Sequence, residues 1–214
     1  MVGITASPAL IFQKRGFKMT KQHKLLLIVA SLLLAGAFVF PLWKIRLQAP
    51  QYPEGLGLNI WINTVKGAQP NNISTINDLN HYIGMKKITP DAIPELKVMP
   101  YIILFFLVTG IAIALTGRRS LLLSWIIGIV IFATAGLADF YKWEYDYGHH
   151  LNPDAAIKVP GMTYQPPLIG GKQLLNIHVT SIPGIGGIIL ILSLLIGLYV
   201  LVNEIRSNKL PKAM

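Results

Sequence analysis

The sequence contains no cysteine. That excludes disulfides, a thiolate-bound zinc, a CxxC copper site, covalently attached c-type haem and a lipoprotein anchor. Charge is also scarce. Asp, Glu, Lys and Arg make up 13% of the 214 residues, against about 25% in an average soluble domain. Acid is scarcer than base, with 9 Asp+Glu against 19 Lys+Arg and a formal net charge of +10. A nucleic-acid binder of that sign would carry far more charge overall. There is no GxSxG, no HExxH and no phosphate-binding glycine loop. What is present is apolar: 53% of residues are hydrophobic, and mean hydropathy is +0.54. These values point to a membrane protein.

Four runs approach the length of about 20 apolar residues that a helix needs to cross a bilayer. They are residues 25–43, 98–116, 121–138 and 182–202, and none contains Asp, Glu, Lys, Arg or His. A lone strand would leave its backbone groups unsatisfied in lipid, so each run reads as a helix. Trp43, Tyr101, Phe140, Tyr141 and Trp143 fall where aromatic side chains sit at headgroup level. The connection 117–120, with Arg118 and Arg119, has room only for an antiparallel hairpin.

Charge orients the spans. The N-terminus 1–24, the turn 117–120 and the C-terminus 203–214 together hold 10 basic residues and one acid, Glu204. The long loops 44–97 and 139–181 hold 9 basic and 8 acidic residues. Both termini are therefore expected in the cytoplasm of a bacterium, with the long loops in the periplasm. The first span reads as an uncleaved signal anchor, because its apolar run continues past Ala35-Gly36-Ala37 to Trp43. Met19 is an alternative start, which would make 1–18 an extension.

The loops are too long for simple connectors. Leu56, Leu58, Ile60 and Ile62 alternate like a strand. Ser74 can cap a short helix with Ile76, Leu79 and Ile83 on one face. His81 and Met85 are four residues apart and would share a face of that helix. The second loop opens with an aromatic run, 140–147, and continues through His149, His150 and a Pro- and Gly-rich stretch. The expected architecture is an all-α membrane protein of four transmembrane helices, its two long outer loops folded into a small mixed cap.

Four of the five histidines lie in those loops (His81, His149, His150 and His178), with Met85 and Met162. Imidazole and thioether without thiol suit copper, particularly Cu(I). The competing readings are plain: Met85 as a filler of an apolar gap, and adjacent histidines as solvated loop residues. Asp139, Glu144 and Asp146 form an acidic stretch that could serve an interfacial enzyme or simply face water. The spans hold no ionisable residue for a proton relay and no histidine for haem, so they read as an anchor. A permease component is the least favoured class.

Several segments carry a resemblance. They are Tyr52-Pro53-Glu54-Gly55-Leu56, Leu79-Asn80-His81-Tyr82-Ile83-Gly84-Met85, Trp143-Glu144-Tyr145-Asp146-Tyr147-Gly148-His149, and 160–170, which begins Pro160-Gly161-Met162. Together they resemble a family of poorly characterised bacterial membrane proteins encoded with nitrous-oxide reductase and its copper-maturation proteins, including the NosL-type copper chaperone. The resemblance spans residues 50–180. It implies an inner-membrane accessory role in copper supply or maturation for a periplasmic copper enzyme. It implies copper as cofactor, held by His81, Met85, His149 and Met162, with a chaperone or copper enzyme as partner and no catalytic residue. A structural subunit without metal is the first alternative.

Overall fold

The computed structural model describes residues 19–207. The candidate extension 1–18, and Lys209 and Lys212, lie outside the described residues. The described chain runs α1 (Lys21–Leu33), β1 (Trp43–Ala49), β2 (Tyr52–Ile60), β3 (Val65–Gly67), α2 (Asn72–Ile83), α3 (Glu95–Thr116), α4 (Arg119–His149), β4 (Gly170–Leu174), β5 (Ile177–Pro183) and α5 (Ile185–Ser207). A 3-10 segment, Leu34–Phe38, extends α1.

Among the described residues four helices are long and apolar enough to cross a membrane: α1 with its 3-10 extension, α3, α4 and α5. Their common core includes Leu27, Leu122 and Val200, all fully buried. Polar side chains inside the bundle are satisfied locally. Ser193 donates to the carbonyl of Ala30 at 2.6 Å, and the Trp125 indole donates to that of Phe106 at 2.9 Å. At the α3–α4 turn, Gly117 takes a left-handed φ of 69° and closes α3 before Arg119 opens α4.

The chain is not all-α. A five-stranded antiparallel sheet, ordered β3-β2-β1-β5-β4, stands on the bundle. The physical reason lies in residues assigned to the first span and to the second loop. Trp43-Lys44-Ile45-Arg46-Leu47-Gln48-Ala49 alternates strictly, so a strand turns the buried Ile45 and Ala49 and the half-buried Leu47 to one face and leaves Lys44, Arg46 and Gln48 on the other. A helix would scatter them. The first membrane helix therefore ends at Phe38, not Trp43. Ile177, Val179 and Ser181 alternate in the same way and pair with β1 from Gln48↔His178 to Trp43↔Pro183.

The central strands are thus continuous with helices. α1 leads through Pro41 into β1, and β5 leads directly into α5. Gly184 and Gly186 allow the join, because a Cβ on either would collide with the backbone of 40–42. Their N–H groups donate instead to Leu42 O at 2.8 Å and Pro41 O at 3.0 Å.

A further determinant is the length of α4. Its 31 residues span roughly 46 Å at 1.5 Å per residue, well beyond a hydrocarbon core of about 30 Å. The first twenty or so residues suffice to cross. The last turns, carrying Phe140, Trp143 and Tyr147, rise outside and pack on the inner face of the sheet. α2 covers the rest of that face with Ile76. It begins at Asn72, two residues before Ser74, and Asn72 Oδ1 accepts from Gly57 N and Gln69 N at 3.1 Å each.

Candidate functional site

Between the sheet and its helical cover lies a cavity of about 220 Å³. Ile45, Leu58 and Val179 line it from the sheet, Ile76 from α2 and Trp143 from α4. Two buried asparagines of α2 shape its floor. Asn77 accepts from Ile88 N at 2.7 Å and donates to Ile88 O at 3.0 Å, while Asn80 donates to Lys86 O at 3.2 Å. These bonds strap residues 86–88 along the helix and bring Met85 and Ile88 to the cavity.

The helix ends before Met85. Gly84 has φ 81°, its N–H bonds to His81 O, and Met85 N bonds to Asn80 O at 2.8 Å. This is a Schellman closure. His81 and Met85 accordingly do not share a helix face: His81 is exposed on the last turn, and Met85 turns into the cavity wall.

The end of α2 meets the end of α4. Asn152 N donates to Gly84 O at 2.8 Å and Ile157 N to Tyr82 O at 2.9 Å. A Cβ on Gly84 would lie 2.9 Å from Asn152 O, so glycine is required there twice, for φ and for contact. His81 thus sits at the end of α2, and His149 and His150 at the end of α4, the two ends being linked through the 150–157 segment. His149 stacks on Tyr145 with ring centroids 3.8 Å apart, and its Nδ1 is 3.0 Å from Tyr145 O. A carbonyl can only accept, so Nδ1 donates in this contact, and in the neutral ring the lone pair is on Nε2. That is the tautomer a metal-binding histidine needs. His150 Nδ1 lies 3.4 Å from Asp146 Oδ1. Met162 is half-buried in the turn after Val159. His178 lies on the opposite face of the sheet from the cavity, over Gly171. Among the described residues no three His, Asp or Glu side chains cluster as a metal-holding group.

The three carboxylates of the second loop separate by helical period. Asp139 and Asp146 share one face of α4 two turns apart, and Glu144 faces away from them. Glu144 is 0% exposed, and among the described residues neither of its carboxylate oxygens has a hydrogen-bond partner. It lies beyond the membrane-crossing part of α4, against the 164–168 segment, since Gly148 one turn further touches Gln165 and accepts from Tyr164 N at 2.9 Å. Burial pushes its pKa up to about 8. Tyr164 is 4% exposed and lines the cavity, with no partner for its hydroxyl among the described residues. The sequence places Tyr164 within the 160–170 segment but gives it no role. It shows Glu144 only as one carboxylate of three, although Phe140, Tyr147 and Gly148 at helical spacing mark that face as the packed one.

No protein-family model matches the chain, and no curated protein matches it.

Proposed function

We propose that this chain is a bacterial inner-membrane accessory protein for copper supply to a periplasmic copper enzyme such as nitrous-oxide reductase. Both termini and the 117–118 turn face the cytoplasm in this reading. Lys21, Lys24, Arg118, Arg119 and Arg206 gather at one end of the bundle, and basic residues stay inside. The sheet domain then stands in the periplasm. His149 Nε2 would be one copper ligand and His81 a second from the neighbouring helix end, with Met85 and Met162 as soft donors. Neutral imidazole and thioether suit Cu(I) and release it readily to a chaperone or enzyme. The observation that carries the reading is the joined ends of α2 and α4, with the His149 tautomer fixed by Tyr145 O. Protein purified under reducing conditions is expected to retain Cu(I) and to lose it in His149→Ala. Occupancy of wild type that never exceeds a few per cent would overturn the proposal.

One observation favours a second reading, a structural subunit of a larger membrane complex. Residues 133–139 of α4 are all exposed, and Gly136 has nothing within 4 Å of a Cβ position. A partner helix could pack there on small residues. Native electrophoresis in mild detergent would show a stable heteromeric assembly, and a monomeric chain would exclude this role.

A further inference from the structure

The cavity under the sheet has the dimensions of a small-molecule site. Its volume, about 220 Å³, exceeds the roughly 150 Å³ at which an apolar engineered cavity takes up benzene. It is smaller than the pockets of about 300 Å³ and more that hold drug-sized ligands. A single ring, or a short branched chain, is the size that fits.

Among the described residues, its one buried polar atom without a partner sets the chemistry. That atom is the Tyr164 hydroxyl, on a largely apolar lining. A buried hydroxyl without a partner is costly, and a ligand with one polar atom would satisfy it. Of the other polar side chains in the lining, Asn80 donates to Lys86 O, Tyr147 Oη donates to Lys87 O at 3.1 Å, and Asn176 donates to Gln51 Oε1 at 3.3 Å, while Tyr82 is exposed at the rim.

The rim says how such a ligand arrives. Tyr82, Ile157 and Leu175 reach the cavity yet are 54%, 48% and 43% exposed. Leu175 is in the left-handed region, φ 53°, in the two-residue turn between β4 and β5. Asn or Gly would take that position without strain. A leucine held there at a conformational cost places an apolar side chain at the mouth, the kind of outlier that marks a functional position. The 174–177 turn lies at the end of β5 opposite its junction with α5. Seven strand residues put the mouth about 23 Å from the bundle. Entry is therefore from the aqueous side and not from the bilayer.

We propose that the sheet domain binds a small single-ring or branched apolar molecule bearing one hydrogen-bonding atom, oriented by the Tyr164 hydroxyl and admitted past Leu175. The test uses the full chain in lipid nanodiscs, with 4-methylphenol and toluene as probes and empty nanodiscs as the partition control. Wild type is expected to bind 4-methylphenol saturably at one site per chain. Tyr164→Phe should weaken 4-methylphenol by about five- to tenfold, the effect of one hydrogen bond, and change toluene by less than about twofold. Val179→Phe fills the cavity and should abolish both. Should that variant misfold, Tyr164→Phe, which removes one atom, still decides. No saturable binding of either probe overturns the site. Equal loss of both probes in Tyr164→Phe, or no change in either, overturns the role of the hydroxyl. A phospholipid co-purifying one per chain with wild type and absent from Val179→Phe overturns the small-molecule assignment in favour of an acyl chain.

Discussion

Two fully buried glutamates stand at opposite ends of the molecule, and the protein treats them in opposite ways. Glu204, at the basic end of α5, is surrounded by partners. His23 Nδ1 lies 2.6 Å from its Oε1, Thr20 N donates to the same oxygen at 3.3 Å, and Arg119 pairs with Oε2. One carboxylate thereby ties the starts of α1 and α4 to the end of α5. Glu144, in the extramembrane part of α4, is buried without a hydrogen-bond partner among the described residues. A buried ion pair closes a structure, whereas a buried lone acid stays neutral until something changes its surroundings. The basic end of the bundle is built as a fixed clamp, and the sheet domain keeps its polar groups in reserve.

The largest predicted effect breaks the clamp. Arg119→Ala leaves Glu204 buried with only His23 and the Thr20 N–H as partners and should cost about 3 kcal/mol, measured as lost thermal or denaturant stability in detergent. A change below 1 kcal/mol would mean the clamp is not structural. Next comes the wall that buries Glu144. Gly148→Ala sets a Cβ against the backbone of Gln165, and overpacking of this kind costs about 1–3 kcal/mol. The loss should be confined to the sheet domain, with increased hydrogen exchange in 160–170 and little change in α5.

The third prediction concerns pH. A carboxyl with a folded pKa of about 8 and an ordinary value of 4.5 holds its proton in the folded state across a range where the unfolded chain has lost it. Stability therefore falls as pH rises from about 4.5 to about 8 and levels off above, by up to about 1.4 kcal/mol per unit. Glu144→Gln should flatten that slope in a comparison of melting curves at pH 5, 7 and 9. An unchanged slope would assign the dependence to other groups. The smallest effect is on the outer face of α4. Tyr141→Ala, on an exposed residue, should shift stability by about 0.5 kcal/mol or less.

Much of the bundle is legible in the sequence because charge-free runs of membrane length have few other outcomes. The α2 helix is legible too, from Ile76, Leu79 and Ile83. The sheet is harder. The pattern of β1 begins at Trp43, where an apolar run reads as helix until Lys44 and Arg46 reveal the alternation. β4 begins Gly170-Gly171 and is identified by its partner more than by its own residues. Ile62, expected to continue the strand face, is buried in the bundle core instead, because β2 ends at Ile60 and the chain turns back toward the helices. For the candidate site, sequence spacing pairs His81 with Met85 on one helix face and misses the Gly84 turn that separates them. The cavity is a property of how the sheet and α4 meet, and no local pattern carries it.

The most direct test of the functional reading is Cu(I) affinity at the joined ends of α2 and α4. Competition with a chromophoric Cu(I) chelator, on full-length protein under reducing conditions, gives both affinity and stoichiometry. The account predicts one Cu(I) per chain, weakened at least about tenfold, or about 1.4 kcal/mol, in His149→Ala and in His81→Ala. It predicts no change in His178→Ala, across the sheet from the cavity. Equal affinity in all four proteins, or no competition by wild type, would contradict it.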